Sequence, residues 1–292
     1  MSRRRRRPWR TAVALLVTLG LAVTAVVVVL DRFSGTTVLT ERCAALSDGT
    51  SWYLSTAQAD NAALVAAVSV RRDMPARAAT IGIATALQES KLLNIDHGDR
   101  DSVGLFQQRP SQGWGTVEQI LDPVFATNAF FDALSKVAGY EQLPITEAAQ
   151  EVQRSGFPEA YAQHEPQARA WASALTGYTP AAVTCELHAA DAAGSAPVVA
   201  ARVARDHGDV PVTPGADGLV TLDAGALGTG AGDDDARRAW SLANWSVAVA
   251  HGLQIDAVAV ADQVWSRGEP TWSPSGTDPI PAGEVQLTLA QQ

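Results

Sequence analysis

The chain has 292 residues, 47% hydrophobic and only 18% charged, which excludes a disordered or fibrous polypeptide and leaves room for one or two globular domains. Its formal charge is −9, yet six of the 22 basic residues are Arg3, Arg4, Arg5, Arg6, Arg7 and Arg10, so the remainder is strongly acidic and excludes nucleic-acid binding by phosphate neutralisation. Two cysteines exclude a disulfide-dense mini-protein and a four-thiolate zinc site.

Residues 1–10 form an arginine-rich tail, read as cytoplasmic. Thr11–Leu30 then runs without a charge for about 30 Å of helix, the thickness of a bilayer core, and is expected to be a transmembrane helix. The arginines before it orient the chain so that everything after Leu30 lies outside the plasma membrane, as in a single-pass protein. A cleaved signal peptide is the alternative, but Val26–Leu30 stays bulky where a small-x-small exit belongs. Residues 41–187 have a mostly helical pattern and are expected to form a mainly α domain. One helix starts near Asp73 and Pro75 and runs through Ile81, Ile83 and Leu87 to about Leu92. Asn94–Ser102 and Pro110–Gly115 read as loops, and Asp122-Pro123 opens another helix. Thr146–Arg154 and Pro166–Leu175 are further helices. Residues 188–196 read as a flexible linker and 197–292 as a small α+β domain. In that domain Gly208–Gly232 looks irregular, Ala236–Leu253 helical, and Ile255–Ala261 and Val285–Leu289 extended. Trp240, Trp245, Trp265 and Trp272 are expected mostly in its core. Outside the cell Cys43 and Cys185 are expected to form a disulfide, with two buried free thiols as the alternative.

The chemistry concentrates between Ala86 and Thr116. Glu89 falls near the end of a predominantly apolar helix. A carboxyl group at the edge of an apolar core is poorly solvated when charged, so its pKa rises toward what a general acid needs. The alternative is a solvated, inert helix-end glutamate. After the polar loop comes Gly104-Leu105-Phe106-Gln107. Gly104 permits a close backbone approach, and Gln107 offers the donor and acceptor that sugar hydroxyls or an N-acetyl group require. The alternative there is a short strand whose Leu105 and Phe106 fill the core, with Asp99 and Asp101 as solvated turn formers.

Glu89-Ser90, the polar loop with Gly98-Asp99-Arg100, Gly104-Leu105-Phe106-Gln107, and Asp122-Pro123 with Asn128 occur in that order. Together they resemble the lysozyme-like superfamily of soluble lytic transglycosylases and goose-type lysozymes, over roughly residues 57–175. The resemblance implies cleavage of β-1,4 glycosidic bonds in peptidoglycan with Glu89 as general acid and base, no cofactor and no metal. It also implies a cleft to which Ser90, Asp101, Ser102, Gln107, Gln108, Trp114 and Tyr161 contribute substrate contacts. A hydrolase needs a second carboxylate on the opposite sugar face, for which Asp99 is the candidate. The chain departs from the family in having Arg109 where goose-type enzymes carry an acid, and in lacking Ala-Tyr-Asn-x-Gly. Gln153, Arg154 and Ser155 are further cleft candidates. The five histidines lack metal-ligand spacing. The expected function is a membrane-anchored, extracytoplasmic peptidoglycan lytic transglycosylase or muramidase. Its partners would be glycan strands, the membrane through residues 11–30, and a cell-envelope protein through the C-terminal domain. The alternative is a catalytically silent glycan-binding or scaffold subunit of an envelope or secretion assembly.

Overall fold

The computed structural model describes residues 23–24, 40–154, 158–227 and 235–291. A hairpin comes first: β1 (Arg42–Ser47) and β2 (Thr50–Ser55) pair antiparallel around Asp48-Gly49. Both turn residues have positive φ, 49° and 74°, as a two-residue type I′ turn demands. Ser55 ends β2 and caps α1 (Thr56–Arg71). Its hydroxyl accepts from the Gln58 N–H at 3.3 Å, and the Gln58 side chain accepts from the Ser55 N–H at 2.9 Å. Helix α2 (Ala76–Ser90) begins after Pro75, and every side chain from Ala78 to Leu87 is buried. A helix buried on all faces is the centre of its layer. It stops where Lys91 turns left-handed, at φ 56°, so Glu89 is the penultimate residue of the central helix.

A loop containing a 3₁₀ turn (Pro110–Gln112) leads to α3 (Val117–Leu121), α4 (Pro123–Leu134) and α5 (Ile145–Gln153). The Asp122 carboxylate caps α4 by accepting from the Val124 N–H at 2.8 Å. A second 3₁₀ segment, Pro158–His164, precedes α6 (Glu165–Leu175), which packs along α2. Strand β3 (Val183–Glu186) then returns beside β1, giving a three-stranded sheet of order β2-β1-β3. Cys43 and Cys185 face each other in the β1–β3 register and are disulfide-bonded across a sequence separation of 142 residues. In the chain-entropy picture a loop that long stabilises the fold by at most about 5 kcal/mol.

The C-terminal part comprises α7 (Ala196–His207), β4 (Val212–Pro214), β5 (Leu219–Asp223), α8 (Asp235–Ala248), α9 (Ala250–Leu253), β6 (Ile255–Val260), β7 (Gln263–Ser266), β8 (Glu269–Pro274) and β9 (Glu284–Leu289). Its six strands pair antiparallel in the order β4-β5-β9-β6-β7-β8. Helix α8 joins this sheet to the first layer. Fully buried Asn244 accepts from the Val183 N–H at 3.0 Å and donates to the Ala174 carbonyl at 2.8 Å. The Trp272 indole donates to the Val183 carbonyl at 2.8 Å, and its ring meets Trp240 edge-on at 5.3 Å. Trp245 and Trp265 are buried. Residues 188–196 are pinned to this body: the His188 N–H donates to Glu41 at 2.9 Å and the Gly194 N–H to the Ala290 carbonyl at 3.0 Å. Glu41–Gln292 thus forms one compact unit around one continuous hydrophobic cluster.

Two expectations are corrected. The protein is a mixed α/β structure with two antiparallel sheets, not a mainly α domain followed by a small α+β one. The physical reason lies in β1 and β3: Arg42–Ser47 buries three consecutive residues and so carries no strand alternation, and Val183–Glu186 is only four residues long. They become strands through the Asp48-Gly49 turn and through a partner more than a hundred residues away. In addition, no helix among the described residues is long and apolar enough to cross a membrane. Thr11–Leu30, apart from Val23 and Thr24, lies outside the described residues, as does the arginine-rich tail. The expected single-pass anchor and the plasma-membrane localisation drawn from it therefore have no support among the described residues.

Candidate active site

Glu89 is half-buried at the C-terminal end of α2. The Tyr161 hydroxyl, of a fully buried side chain, donates to Glu89 Oε1 at 2.5 Å. Burial pushes the Glu89 pKa up, and its neutral polar neighbours, Tyr161 first and then Gln153, pull against it without reversing the direction. Among the described residues no cation contributes. The group is therefore a carboxyl of raised proton affinity held by a neutral donor, the electrostatic state a general acid requires.

The Gly104–Gln107 turn is built against this helix end. Val103 bridges to Gln108, and the Gly104 N–H donates to the Ile95 carbonyl at 2.6 Å. Gly104 has φ 79°, and a Cβ there would come within 2.7 Å of the Ile120 carbonyl, so only glycine fits. Leu105 and Phe106 are fully buried, and Phe106 stacks on Phe130 at 4.5 Å. Their side chains fill the core while their carbonyls do the tying. Leu105 accepts from the Ser90 hydroxyl at 2.7 Å, and Phe106 accepts from Gln153 Nε2 at 2.7 Å. Ser90 is thus a buried tie between helix and turn.

The other expected residues divide between framework and surface. Gln107 donates to the His97 and Gly104 carbonyls, both at 3.2 Å, and closes the polar loop over Gly98, where a Cβ would strike its side chain. Gln108 is buried and donates to the Ala126 carbonyl at 3.1 Å. Ser102 is also buried, its N–H donating to the Asp99 carbonyl at 3.0 Å. Asp101 accepts from the Ser111 N–H at 2.8 Å, from Arg109 Nε at 2.7 Å and from the Ser111 hydroxyl at 3.0 Å. These bonds, the Ser111 N–H foremost, hold its carboxyl far below the usual carboxylate range. Arg109 is therefore the clamp of Asp101. The Asp99 side chain is 92% exposed, with Arg100 at 3.8 Å.

Trp114 lies half-buried in the wall of a groove of about 1000 Å³, together with Lys136, Glu147, Glu151, Gln153 and Arg154. Gln153 belongs both to this wall and, through its bond to the Phe106 carbonyl, to the turn built against the end of α2, whereas Glu89 itself is not part of the wall. Ser155 lies outside the described residues. Sequence reasoning missed Gln88, whose Oε1 is shared by Gln163 Nε2 at 3.2 Å and His164 Nε2 at 3.1 Å, fastening the 158–164 segment to α2. Nothing in the local sequence marks that contact, because its partners are separated by 75 and 76 residues.

Against known proteins, no family model matches the chain and no curated protein matches it significantly.

Proposed function

We propose that the protein cleaves β-1,4 glycosidic bonds of peptidoglycan-type glycans with Glu89 as general acid and base. The observation that carries this reading is the Glu89 carboxyl, its proton affinity raised by burial and bonded by Tyr161 at 2.5 Å, on a helix end that Ser90 ties to the Gly104–Gln107 turn, which Gln153 in turn ties to the wall of a groove of about 1000 Å³. In the proposed reaction Glu89 protonates the glycosidic oxygen and the C1–O bond breaks, leaving oxocarbenium character on the sugar. The C6 hydroxyl of the same sugar then closes on C1 and returns its proton to Glu89, giving a 1,6-anhydro product with no water consumed. Two observations support this route over hydrolysis. Asp99 is almost fully exposed, and Asp101 is engaged by Arg109 and Ser111, so neither is a free base beside Glu89.

A binding-only reading draws on one observation, that Gln153 rather than Glu89 forms the groove wall. Incubating wild-type chain and Glu89→Gln with purified peptidoglycan, and weighing the released muropeptides, separates the readings. The proposal expects anhydro products from wild type and none from the variant. Reducing-end products would mean hydrolysis, and no release from wild type would leave a glycan binder.

A further inference from the structure

We infer that Gln88 is a positioning residue of this site: it fastens the segment that carries Tyr161 to the end of α2 and so keeps the Tyr161 hydroxyl on Glu89. The inference rests on the proposed role of Glu89. The side-chain hydrogen bonds that the 3₁₀ segment Pro158–His164 makes with α2 end on the adjacent residues Gln88 and Glu89. Gln88 Oε1 accepts from Gln163 Nε2 at 3.2 Å and from His164 Nε2 at 3.1 Å, which uses both lone pairs of one amide oxygen and fixes the His164 Nε2–H tautomer. Gln163 Nε2 also donates to the Ala160 carbonyl at 3.1 Å, so its amide bridges Gln88 to the residue just before Tyr161. The phenol is thus held between two points that both refer back to Gln88, Ala160 on one side and His164 on the other. The bond that reaches the Glu89 carboxyl comes from Tyr161, so Gln88 acts through the segment.

The fastening matters because a general acid must also let its proton go. A hydrogen bond to a carboxyl oxygen strengthens as the carboxyl ionises, so the Tyr161 hydroxyl stabilises the Glu89 carboxylate left once the proton has moved to the glycosidic oxygen. The charged and titratable groups of the elements packed on α2 are engaged elsewhere or face solvent. Glu165 of α6 pairs with Arg77 and Arg169, each at 2.7 Å, Asp132 of α4 pairs with Arg72, and Asp60 of α1 pairs with Arg202. Glu147 and Glu151 of α5, Arg154 after it and Glu159 of the segment are exposed. His164 is half-buried, and burial lowers its pKa. Its Nε2 donates to Gln88 in the neutral form and still does so when charged. Gln88 therefore holds the phenol on Glu89 without adding a charge to the site.

The test is a ¹³C titration of the Glu89 carboxyl in the full chain, in wild type, Gln88→Leu, Tyr161→Phe and the double variant. Tyr161→Phe removes a donor to the ionised form and should raise the midpoint by about one pH unit. Gln88→Leu should raise it in the same direction while Tyr161 is present, and should add nothing once Tyr161→Phe has been made, because changes along one chain of contacts are not additive. Gln163→Ala truncates an exposed side chain and cuts the same bridge, so it should give a smaller rise, and it carries the test if the leucine variant does not fold. Unchanged midpoints in the folded variants, with only the melting temperature lowered, would reduce Gln88 to a structural tie and overturn the inference. A shift from Gln88→Leu that is just as large with Tyr161 already replaced would overturn it too. The titration needs no turnover. Wild type that releases nothing from peptidoglycan, but whose Glu89 midpoint still answers to Gln88 through Tyr161, would sink the proposed function and leave this inference standing.

Discussion

Glu89 and Asp206 occupy the same place in their helices, the penultimate residue, of α2 and α7 respectively. Both lie where a helix dipole already disfavours a negative charge. Asp206 is fully buried, yet its pKa is lowered. Burial pushes it up, and Arg202 and Arg205 together outweigh that push. Arg202 reaches it at 2.8 Å, Arg205 at 2.7 Å and the Trp245 indole N–H at 3.0 Å, while Arg202 also grips Asp60 of α1 at 2.8 Å. Glu89 is less buried and its pKa goes the other way: burial raises it, and its Tyr161 partner, a phenol without charge, does not outweigh that push. Cations turn a buried carboxylate into a bolt between α7, α1 and α8. Neutral donors leave it able to take up and release a proton. The difference lies in the partners, not in the carboxyl or its depth.

The sharpest way to break this contrast is at its two centres. Glu89→Gln should cost about 10²- to 10⁴-fold in glycan cleavage, measured as muropeptide release, with the fold retained. Arg202→Met should leave Asp206 and Asp60 without their shared cation and lower unfolding stability by about 3–5 kcal/mol in urea titrations, without removing the acid at the other site. Its neighbour His207 sharpens the contrast from the cationic side. It is fully buried, and burial pushes its pKa down to about 4. The unfolded chain therefore binds the His207 proton more readily than the folded one. Its stability contribution is complete above an unfolded pKa of about 6.5 and drains away as pH falls toward about 4, by about 3 kcal/mol in all. His207→Leu should flatten that part of the stability–pH curve. The smallest effect separates function from stability directly. Because the folded-state pKa of Glu89 is raised, its ionisation costs stability as pH climbs past the ordinary glutamate value. Glu89→Gln should therefore melt higher than wild type at neutral pH and lose that advantage in acid.

The pieces legible in the sequence were those set by short-range chemistry. Strands β6 and β9 appear where alternating residues announced them, Asp122 caps α4, and α2 runs from just after Pro75. What was hidden depends on distant partners. Residues 42–47 fall within the stretch 41–187 whose overall pattern is helical, and their strand depends on the Asp48-Gly49 turn and on β3. β4 and β5 lie inside a stretch rich in glycine, proline and aspartate that reads as irregular, and β9 is what orders β5. At the site, Glu89 and the Gly104–Gln107 turn could be singled out locally. That Ser90, Gln107, Gln108 and Asp101 would spend their polar groups on neighbouring backbone and side chains could not, since those partners exist only after folding. Tyr161 reaches Glu89 across 72 residues. Its hydroxyl faces the acid, a contact the sequence motif does not contain.

The central claim is that Glu89 holds its proton more tightly than a solvated glutamate while Asp206 holds its proton less tightly than a solvated aspartate, and carboxyl ¹³C titration of both in one sample tests it most directly. The account predicts a Glu89 midpoint above the ordinary glutamate range and an Asp206 midpoint below the ordinary aspartate range. A Glu89 midpoint at or below that of a solvated glutamate would mean the site holds a fixed negative charge, and would contradict its role as the acid.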